Sequence, residues 1–347
     1  MLGKNKKIKE ELIGAFKFSN IISKKLLFSE THCDVYQIKL INDKTEYLMK
    51  EILIDTVTNN EQSIRKEILL INKINNTVEK PKNFLKFHGY AVIEDNLTFE
   101  RSFFLFFDLV SDSLASIIKK KRSSKIRFHF QEIYSTYRAL LNSFTYSQMR
   151  NIRHSKICPQ NIMCESEEEE IYFSSIRICD FAVGEEKQNK SKLSFGKDLP
   201  DSEIKYLSPE LRNHDLKEGA DYYKADVFAL GILILEMGTF KFPSNLEYKE
   251  DEFIFVETKD LAIELEEMMK EMKLIYKERI RPVDRKKFEF FMNLLELMLS
   301  LEITSRPDFL ELYKRSIFMC DEDILNHMMI EEKRYSMEGE VFWIDKN

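Results

Sequence analysis

The chain has 347 residues, 44% hydrophobic and 32% charged, with a formal net charge of −6 and an isoelectric point near 5.8. This composition excludes a disordered chain, and the acidic balance excludes the broadly basic footprint of a nucleic-acid-binding protein. No apolar run reaches the roughly 20 residues that a membrane span needs. A chain of this length can bury one large core or two ordinary ones.

Cysteine usage and the N-terminus both indicate an intracellular, cytoplasmic protein. The basic, amphipathic N-terminal segment lacks the apolar core and cleavage site of a secretory signal. An odd number of cysteines without a C-x-x-C pair is typical of reduced thiols and not of a disulfide frame or a zinc site. The five are Cys33, Cys158, Cys164, Cys179 and Cys320.

The first half of the chain predicts a sheet with one helix. From Ile21 to Lys50 the runs KLLF, DVYQIKL and EYLMKEILI alternate as three antiparallel strands would. NEQSIRKEILLINKI follows with its apolar residues at helical spacing. KPKNFLKFHGYAVIED and FERSFFLFFDLV then predict two more strands, which end in a connector from Phe107 to Val110.

The second half predicts helices around one polar segment. FQEIYSTYRALLNSFTYSQM, from Phe130 to Met149, is a strong amphipathic helix. From Ile152 to Gly184, two short β-type runs, NIM and IRI, flank the acidic ESEEEE, and Asn161 and Asp180 lie where they can meet. A polar stretch then leads to YLSPELR, to the apolar helix in YYKADVFALGILILEMGTFKFP and to SRPDF.

In this order, the segments resemble the motifs of eukaryotic protein kinases. That family's catalytic loop reads H-R-D-L-K-P-x-N and its metal-binding loop reads D-F-G. The same register here reads His154-Ser155-Lys156-Ile157-Cys158-Pro159-Gln160-Asn161, and Asp180-Phe181-Ala182. The resemblance covers about residues 20–315. It implies an α+β fold of two lobes, a small β-rich N-lobe with one main helix and a larger, mainly helical C-lobe.

The resemblance also implies a division of the chain. We expect an N-terminal extension over 1–20, the N-lobe over 21–109, the C-lobe over 110–318 and a tail over 319–347. The family does not explain the tail, which holds the apolar cluster Val341, Phe342, Trp343 and Ile344. Either the tail packs on the large lobe or it docks a partner.

ATP and Mg²⁺ are the cofactors that the resemblance implies. Lys50 matches the lysine of V-A-I-K, and Glu67 is the expected partner on the next helix, with Glu61 and Glu51 as competitors. The other implied binding residues are Asp108 and Leu109 in the connector for adenine, and Asn161 and Asp180 for the metal. However, the glycine positions of the phosphate-covering hairpin hold Phe28, Glu30 and Cys33. An ordinary hairpin without phosphate cover, and weak nucleotide binding at best, are therefore expected.

Further matches are structural. Glu210, in Ser208-Pro209-Glu210, resembles the glutamate of A-P-E, and Arg306 holds the position of its arginine partner. Asp226 matches the aspartate that anchors the catalytic loop's backbone. His154 and Phe181 match the histidine and phenylalanine of the two loops.

The catalytic loop lacks the family's base. Lys156 stands at the position of the catalytic aspartate, and an ammonium has three donors and no acceptor. Cys158 replaces the lysine that contacts the transferring phosphate, and Ala182 replaces the glycine of D-F-G. We hypothesise that Lys156 approaches Asp180 and partly replaces Mg²⁺ as its counter-charge; the alternative is that Lys156 points into solvent.

The leading interpretation is therefore a pseudokinase, which regulates or scaffolds a protein partner with weak or no phosphotransfer. The second is an active serine/threonine-type protein kinase with an altered mechanism, since Lys50, Glu67, Asn161 and Asp180 could still hold Mg-ATP. The third is a kinase-like enzyme that transfers a different group or acts on a small molecule. The catalytic loop favours the first. A protein partner, no nucleic acid and no membrane span are expected.

Overall fold

The structure, a computed structural model, describes residues 6–14, 16–30, 33–41, 45–54, 61–75, 83–167, 170–179, 201–213, 221–247 and 256–317. Asp180, Phe181, Ala182 and the tail over 319–347 lie outside the described residues. The expectations placed on them stay predictions.

Strands come first and helices dominate later. The strands are β1 (Lys6–Ile13), β2 (Ile21–Glu30), β3 (Cys33–Leu40), β4 (Glu46–Leu53), β5 (Phe87–Asp95), β6 (Arg101–Asp108), β7 (Asp112–Ser113), β8 (Ile162–Glu167) and β9 (Glu170–Ile178). The helices are α1 (Glu61–Asn75), α2 (Leu114–Ser124), α3 (Phe130–Met149), α4 (Asp201–Ile204), α5 (Pro209–Arg212), α6 (Tyr222–Thr239), α7 (Thr258–Lys277), α8 (Arg285–Met298) and α9 (Phe309–Ile317).

The N-lobe is one antiparallel sheet in the order β1-β5-β6-β4-β3-β2. Both of its faces are covered. Phe103 and Leu105 of β6 join the core beneath α1, whereas Phe104 and Phe106 face a second core that includes Phe18. A central strand buried on both faces is continuously apolar, which explains FFLFF in β6.

The C-lobe is built around α6, which is buried along nearly its whole length. A helix that is apolar on all sides has to lie inside a core, and ALGILILEM is such a sequence. Asp221 caps its N-terminus by accepting hydrogen bonds from the backbone N–H groups of Tyr223 and Lys224. Helices α3, α7, α8 and α9 share one core with it. The three-stranded sheet β7-β8-β9 lies beside α2 and α3.

The two-lobed α+β architecture that the resemblance implied is confirmed. The three strands expected after Ile21 are β2, β3 and β4, and the helix expected over Phe130 to Met149 is α3. One feature differs from the expected division: residues 6–13, placed in the N-terminal extension, form strand β1 of the N-lobe sheet. No described helix is both long and apolar enough to cross a bilayer.

Candidate functional site: the catalytic-loop region

Asp226, near the start of α6, anchors the backbone of the loop that follows α3. Its carboxylate accepts the backbone N–H of His154 at 3.1 Å and that of Ser155 at 3.0 and 3.1 Å. Ser155 has φ of 61°, a left-handed conformation that is uncommon for a residue with a side chain. Burial raises the pKa of Asp226 to about 7, against the opposing effect of these backbone hydrogen bonds.

His154 connects this loop to the end of β9. Its Nε2 lies 3.0 Å from the carbonyl oxygen of Cys179, and its Nδ1 lies 3.3 Å from the backbone N–H of Lys156. A carbonyl can only accept and an N–H can only donate, so the ring carries its proton on Nε2. The histidine is buried and packs edge-on against Phe144, with ring centroids 5.5 Å apart. The residue immediately before Asp180 is thereby fixed to the loop.

Lys156 pairs with a carboxylate that follows it in the chain. Its Nζ lies 3.8 Å from Oε2 of Glu203, which is in the short helix α4. Glu203 is buried, and its Oε1 accepts a hydrogen bond from Nδ2 of Asn161 at 3.3 Å. Only 24% of the Lys156 side chain is exposed, so the alternative in which Lys156 points into solvent is wrong. The contact hypothesised between Lys156 and Asp180 involves a residue outside the described part of the chain and stays a prediction.

Asn161 is oriented from two directions. Besides Glu203, its Nδ2 donates to the carbonyl oxygen of Lys156 at 2.9 Å, while its backbone oxygen accepts the N–H of Cys179 at 3.0 Å. With Nδ2 committed to donation, Oδ1 is the side-chain atom that could bind a cation. Cys158, two residues after Lys156, is completely buried in the C-lobe core. No charge enters the site from that position.

Arg306 and Glu210 close the far side of the region. Nη1 of Arg306 lies 2.6 Å from Oε1 of Glu210, and Nη2 lies 3.4 Å from Oε2, so the two planar groups meet side by side. Arg306 is fully buried, and its guanidinium also donates to the carbonyl oxygens of Ser300 and Lys224. Its face lies 4.9 Å from the ring centroid of Phe228. The structure thus joins the two residues that the resemblance paired.

Lys50 and Glu67 lie on elements that share one core. Lys50 is half-buried in β4, opposite Val35 and Leu105, and Glu67 is half-buried on α1, whose apolar face packs on the same cluster. Both side chains have interaction partners. The two competitors for the role of Glu67 are engaged elsewhere. Glu51 pairs with Lys24 at 3.5 Å, and Glu61 pairs with Arg101 at 2.7 Å.

The connector between the lobes is fixed through its backbone and its carboxylate. The backbone N–H of Asp108 donates to the carbonyl oxygen of Lys86 at 3.0 Å, and its Oδ1 lies 2.6 Å from Nε2 of His88. The hydrogen bond with His88 lowers the pKa of Asp108. Leu109 packs against the N-lobe core together with Cys33, Met163 and Cys179, so this core includes residues from both lobes.

Comparison with known proteins decides the family. The protein kinase domain model matches residues 29–318 of the chain. This chain belongs to the protein kinase family. The kinase domain is also 25% identical, over 221 residues, to MAP kinase-interacting serine/threonine-protein kinase 2 of Xenopus laevis. That match covers 59% of this chain and 44% of the relative, so the chain spans less than half the length of this curated relative.

Kinase domains generally use ATP and Mg²⁺, and the β2–β3 hairpin of this kinase domain lacks the glycines that would cover the phosphates of ATP. The hairpin over the phosphate region pairs Glu30 with Cys33 and Ser29 with Asp34, and none of these residues is a glycine. Asp34, held by Ser29 at 2.5 Å and by Tyr36 at 3.0 Å, puts a carboxylate in this hairpin.

Sequence reasoning missed Glu203. A lysine at the base position creates a need for a nearby carboxylate, because a poorly exposed ammonium is costly without a counter-charge. That need could have directed attention to the acidic residues just before Ser208-Pro209-Glu210.

Sequence reasoning also missed Arg122 of α2, which lies 3.0 Å from Glu236 of α6. The other oxygen of Glu236 accepts a hydrogen bond from Tyr206, so α2, α6 and the segment between α4 and α5 are joined.

Proposed function

We propose that this kinase domain is a pseudokinase, which works by binding a protein partner and transfers phosphate weakly or not at all. One observation carries the proposal: the base position holds Lys156, whose ammonium is paired with the buried carboxylate of Glu203 at 3.8 Å. The neighbouring carboxylate stabilises the protonated lysine, which has no lone pair with which to accept a substrate's proton.

The kinetic consequence follows from the missing base. Losing a positioned general base reduces a rate by about 10²–10⁴-fold. Kinases turn over at about 1–100 s⁻¹, so this loss alone leaves on the order of 10⁻⁴ to 1 s⁻¹. Cys158 stands where the family has the lysine that contacts the transferring phosphate, so this position supplies no cation either. Nucleotide binding is a separate property, and we propose that it is weak because the phosphate-covering glycines are missing.

The test is transfer of radiolabelled γ-phosphate from ATP, with Mg²⁺, to a generic protein substrate and to the kinase domain itself. We expect wild type to turn over below about 1 s⁻¹, whether it matches or slightly exceeds an Asn161→Ala control. Turnover above about 1 s⁻¹ that is lost in the control would overturn the proposal. The double variant Lys156→Asp/Glu203→Gln restores an acceptor and removes the adjacent like charge; it should exceed wild type if the missing base is the main defect.

An active kinase is the second candidate, and Glu203 favours it. Its carboxylate lies beside the base position, so Glu203 could accept the substrate's proton in place of the missing aspartate. In that case Glu203→Gln would reduce transfer by about 10²–10⁴-fold, whereas Lys156→Met would retain it. If neither variant changes a wild-type signal that is already at background, the pseudokinase proposal stands.

A further inference from the structure

The N-terminal strand is connected to α1 by a network of charges. Nη1 of Arg65, on α1, lies 3.0 Å from Oε2 of Glu10, on β1. Arg65 also bonds Glu61, one turn earlier on α1, with Nη2 3.0 Å from Oε1. The second oxygen of Glu61 lies 2.7 Å from Nη2 of Arg101, on β6. Strand, helix and sheet are thus connected through four alternating charges.

Glu10 is held from the sheet side as well. The hydroxyl of Tyr90, on β5, donates to Oε1 of Glu10, and this hydrogen bond is the main cause of a lowered pKa at Glu10. The Arg65 guanidinium lies 5.1 Å from the ring centroid of Phe103. An isolated surface ion pair contributes little to stability, but one with several fixed partners and a stacked guanidinium has less freedom to lose.

Two backbone features place Glu10 where it meets Arg65. The pairing of β1 with β5 shifts register between Ile8 and Glu10, and a bulge of this kind re-aims the side chain that follows it. Gly89, on β5, has φ of 131°, and a Cβ there would lie 1.9 Å from the carbonyl oxygen of Leu12. Only glycine allows β1 to approach this closely.

We infer that Glu10 and Arg65 are positioning residues through which β1 holds α1 against the sheet. The helix carries Glu67 two residues after Arg65, so the tether fixes the segment that bears the proposed partner of Lys50. Docking of β1 then sets the position of α1, and release of β1 frees the helix. The link to Glu67 rests on the proposed function; the tether itself does not.

Hydrogen–deuterium exchange of the full chain without nucleotide tests the tether. In Glu10→Gln, amides of residues 61–75 should exchange roughly fivefold faster, the factor for losing an ion pair at the upper end of the surface range. The matched control is Glu94→Gln, which breaks the Lys9–Glu94 pair of 2.7 Å on the same two strands. That control should leave α1 unchanged, because no described contact links the Lys9–Glu94 pair to the helix.

Non-additivity separates the tether from general loosening. Arg65→Gln should add less in the Glu10→Gln background than in wild type, because the first change already removes their bond. Unchanged α1 exchange in Glu10→Gln, an equal effect in Glu94→Gln, or fully additive effects would each overturn the inference. Since no nucleotide is present, these outcomes are independent of the phosphate-transfer assay, and the two proposals can fail separately.

Discussion

Three buried charged side chains hold together the loops around Lys156. Asp226 fixes the loop from below through two backbone N–H groups, and Glu203 lies between Lys156 and Asn161. Arg306 holds Glu210. Each of these three groups is poorly hydrated and interacts with protein partners instead of water. Changing any one of them leaves its partner buried without the interaction that offset the partner's lost hydration.

Arg306→Met should destabilise the domain strongly. It leaves the Glu210 carboxylate, whose side chain is 11% exposed, without its counter-charge, and losing one member of a buried pair costs about 3–5 kcal/mol. The matched control is Arg315→Met, which breaks a pair with Glu311 whose side chains are 47% and 49% exposed. That change should stay within about 0.5 kcal/mol. Urea unfolding measures both; equal losses would contradict a special role for Arg306.

The pH dependence of stability should report Asp226. Its pKa is about 7 in the folded protein and near 3.8 for an unperturbed aspartate. The folded state therefore binds more protons between these values, and this group's contribution to stability is lost as pH rises from about 4 to 7. The slope is at most about 1.4 kcal/mol per pH unit. Denaturant unfolding across this range should show that the free energy of unfolding of wild type falls relative to that of Asp226→Asn as pH rises. A difference between the two free energies that stays constant with pH would refute this prediction.

At the scale of elements, strand β1 extends the N-lobe sheet beyond the strands expected from the sequence. It pairs with β5 from Lys6 opposite Asp95 to Ile13 opposite Gly89. Lysines and glutamates make up five of its eight residues, KKIKEELI, so the sequence lacks the apolar alternation that predicts a strand. Strand β1 can pair with β5 because Gly89 of β5 has no side chain and leaves room for the backbone of β1.

Gly89→Ala should therefore undock β1. The new methyl would overlap the Leu12 carbonyl at 1.9 Å and force an L-residue into a strained conformation, at a cost of about 1–3 kcal/mol. Gly14→Ala is the control, because its Cβ would lie at an ordinary 3.8 Å from the His88 carbonyl. Limited proteolysis at the N-terminus and thermal unfolding should distinguish them. Resistance of Gly89→Ala equal to that of Gly14→Ala would show that the strand adapts.

At the scale of the whole molecule, a nucleotide that binds the folded kinase domain should raise its melting temperature. Thermal unfolding with and without ATP, each with and without Mg²⁺, measures this. A ligand at 100 times its dissociation constant stabilises the native state by about 2.7 kcal/mol, a shift of several degrees for a domain of this size. We expect less than about two degrees at millimolar ATP. A shift of several degrees that requires Mg²⁺ would show an intact site and contradict weak binding.

Much of the architecture was predictable because it depends on local patterns. The runs with a period of two residues predicted β2, β3 and β4. The apolar face of FQEIYSTYRALLNSFTYSQM predicted α3 with its first and last residues correct. The largely apolar ALGILILEM predicted a helix, and the resemblance implied that this helix, α6, is the buried axis of the C-lobe. The family motifs also placed Arg306 with Glu210 and Asp226 under the catalytic loop. These features follow from hydrophobic spacing and from residue types at fixed offsets.

By itself, the sequence determined the α+β order, the kinase motifs and the missing base at Lys156. Only the tertiary structure decided what Lys156 pairs with and where β1 lies. Lys156 and Glu203 are 47 residues apart in the chain (203 − 156), and Glu10 and Arg65 are 55 apart. Neither pair has a local signature, since an acidic residue looks the same whether it meets solvent or a distant cation. The fold brings them together because the packing of α1, α4 and β1 decides which distant side chains become neighbours, in the interior for Glu203 and near the surface for Glu10 and Arg65.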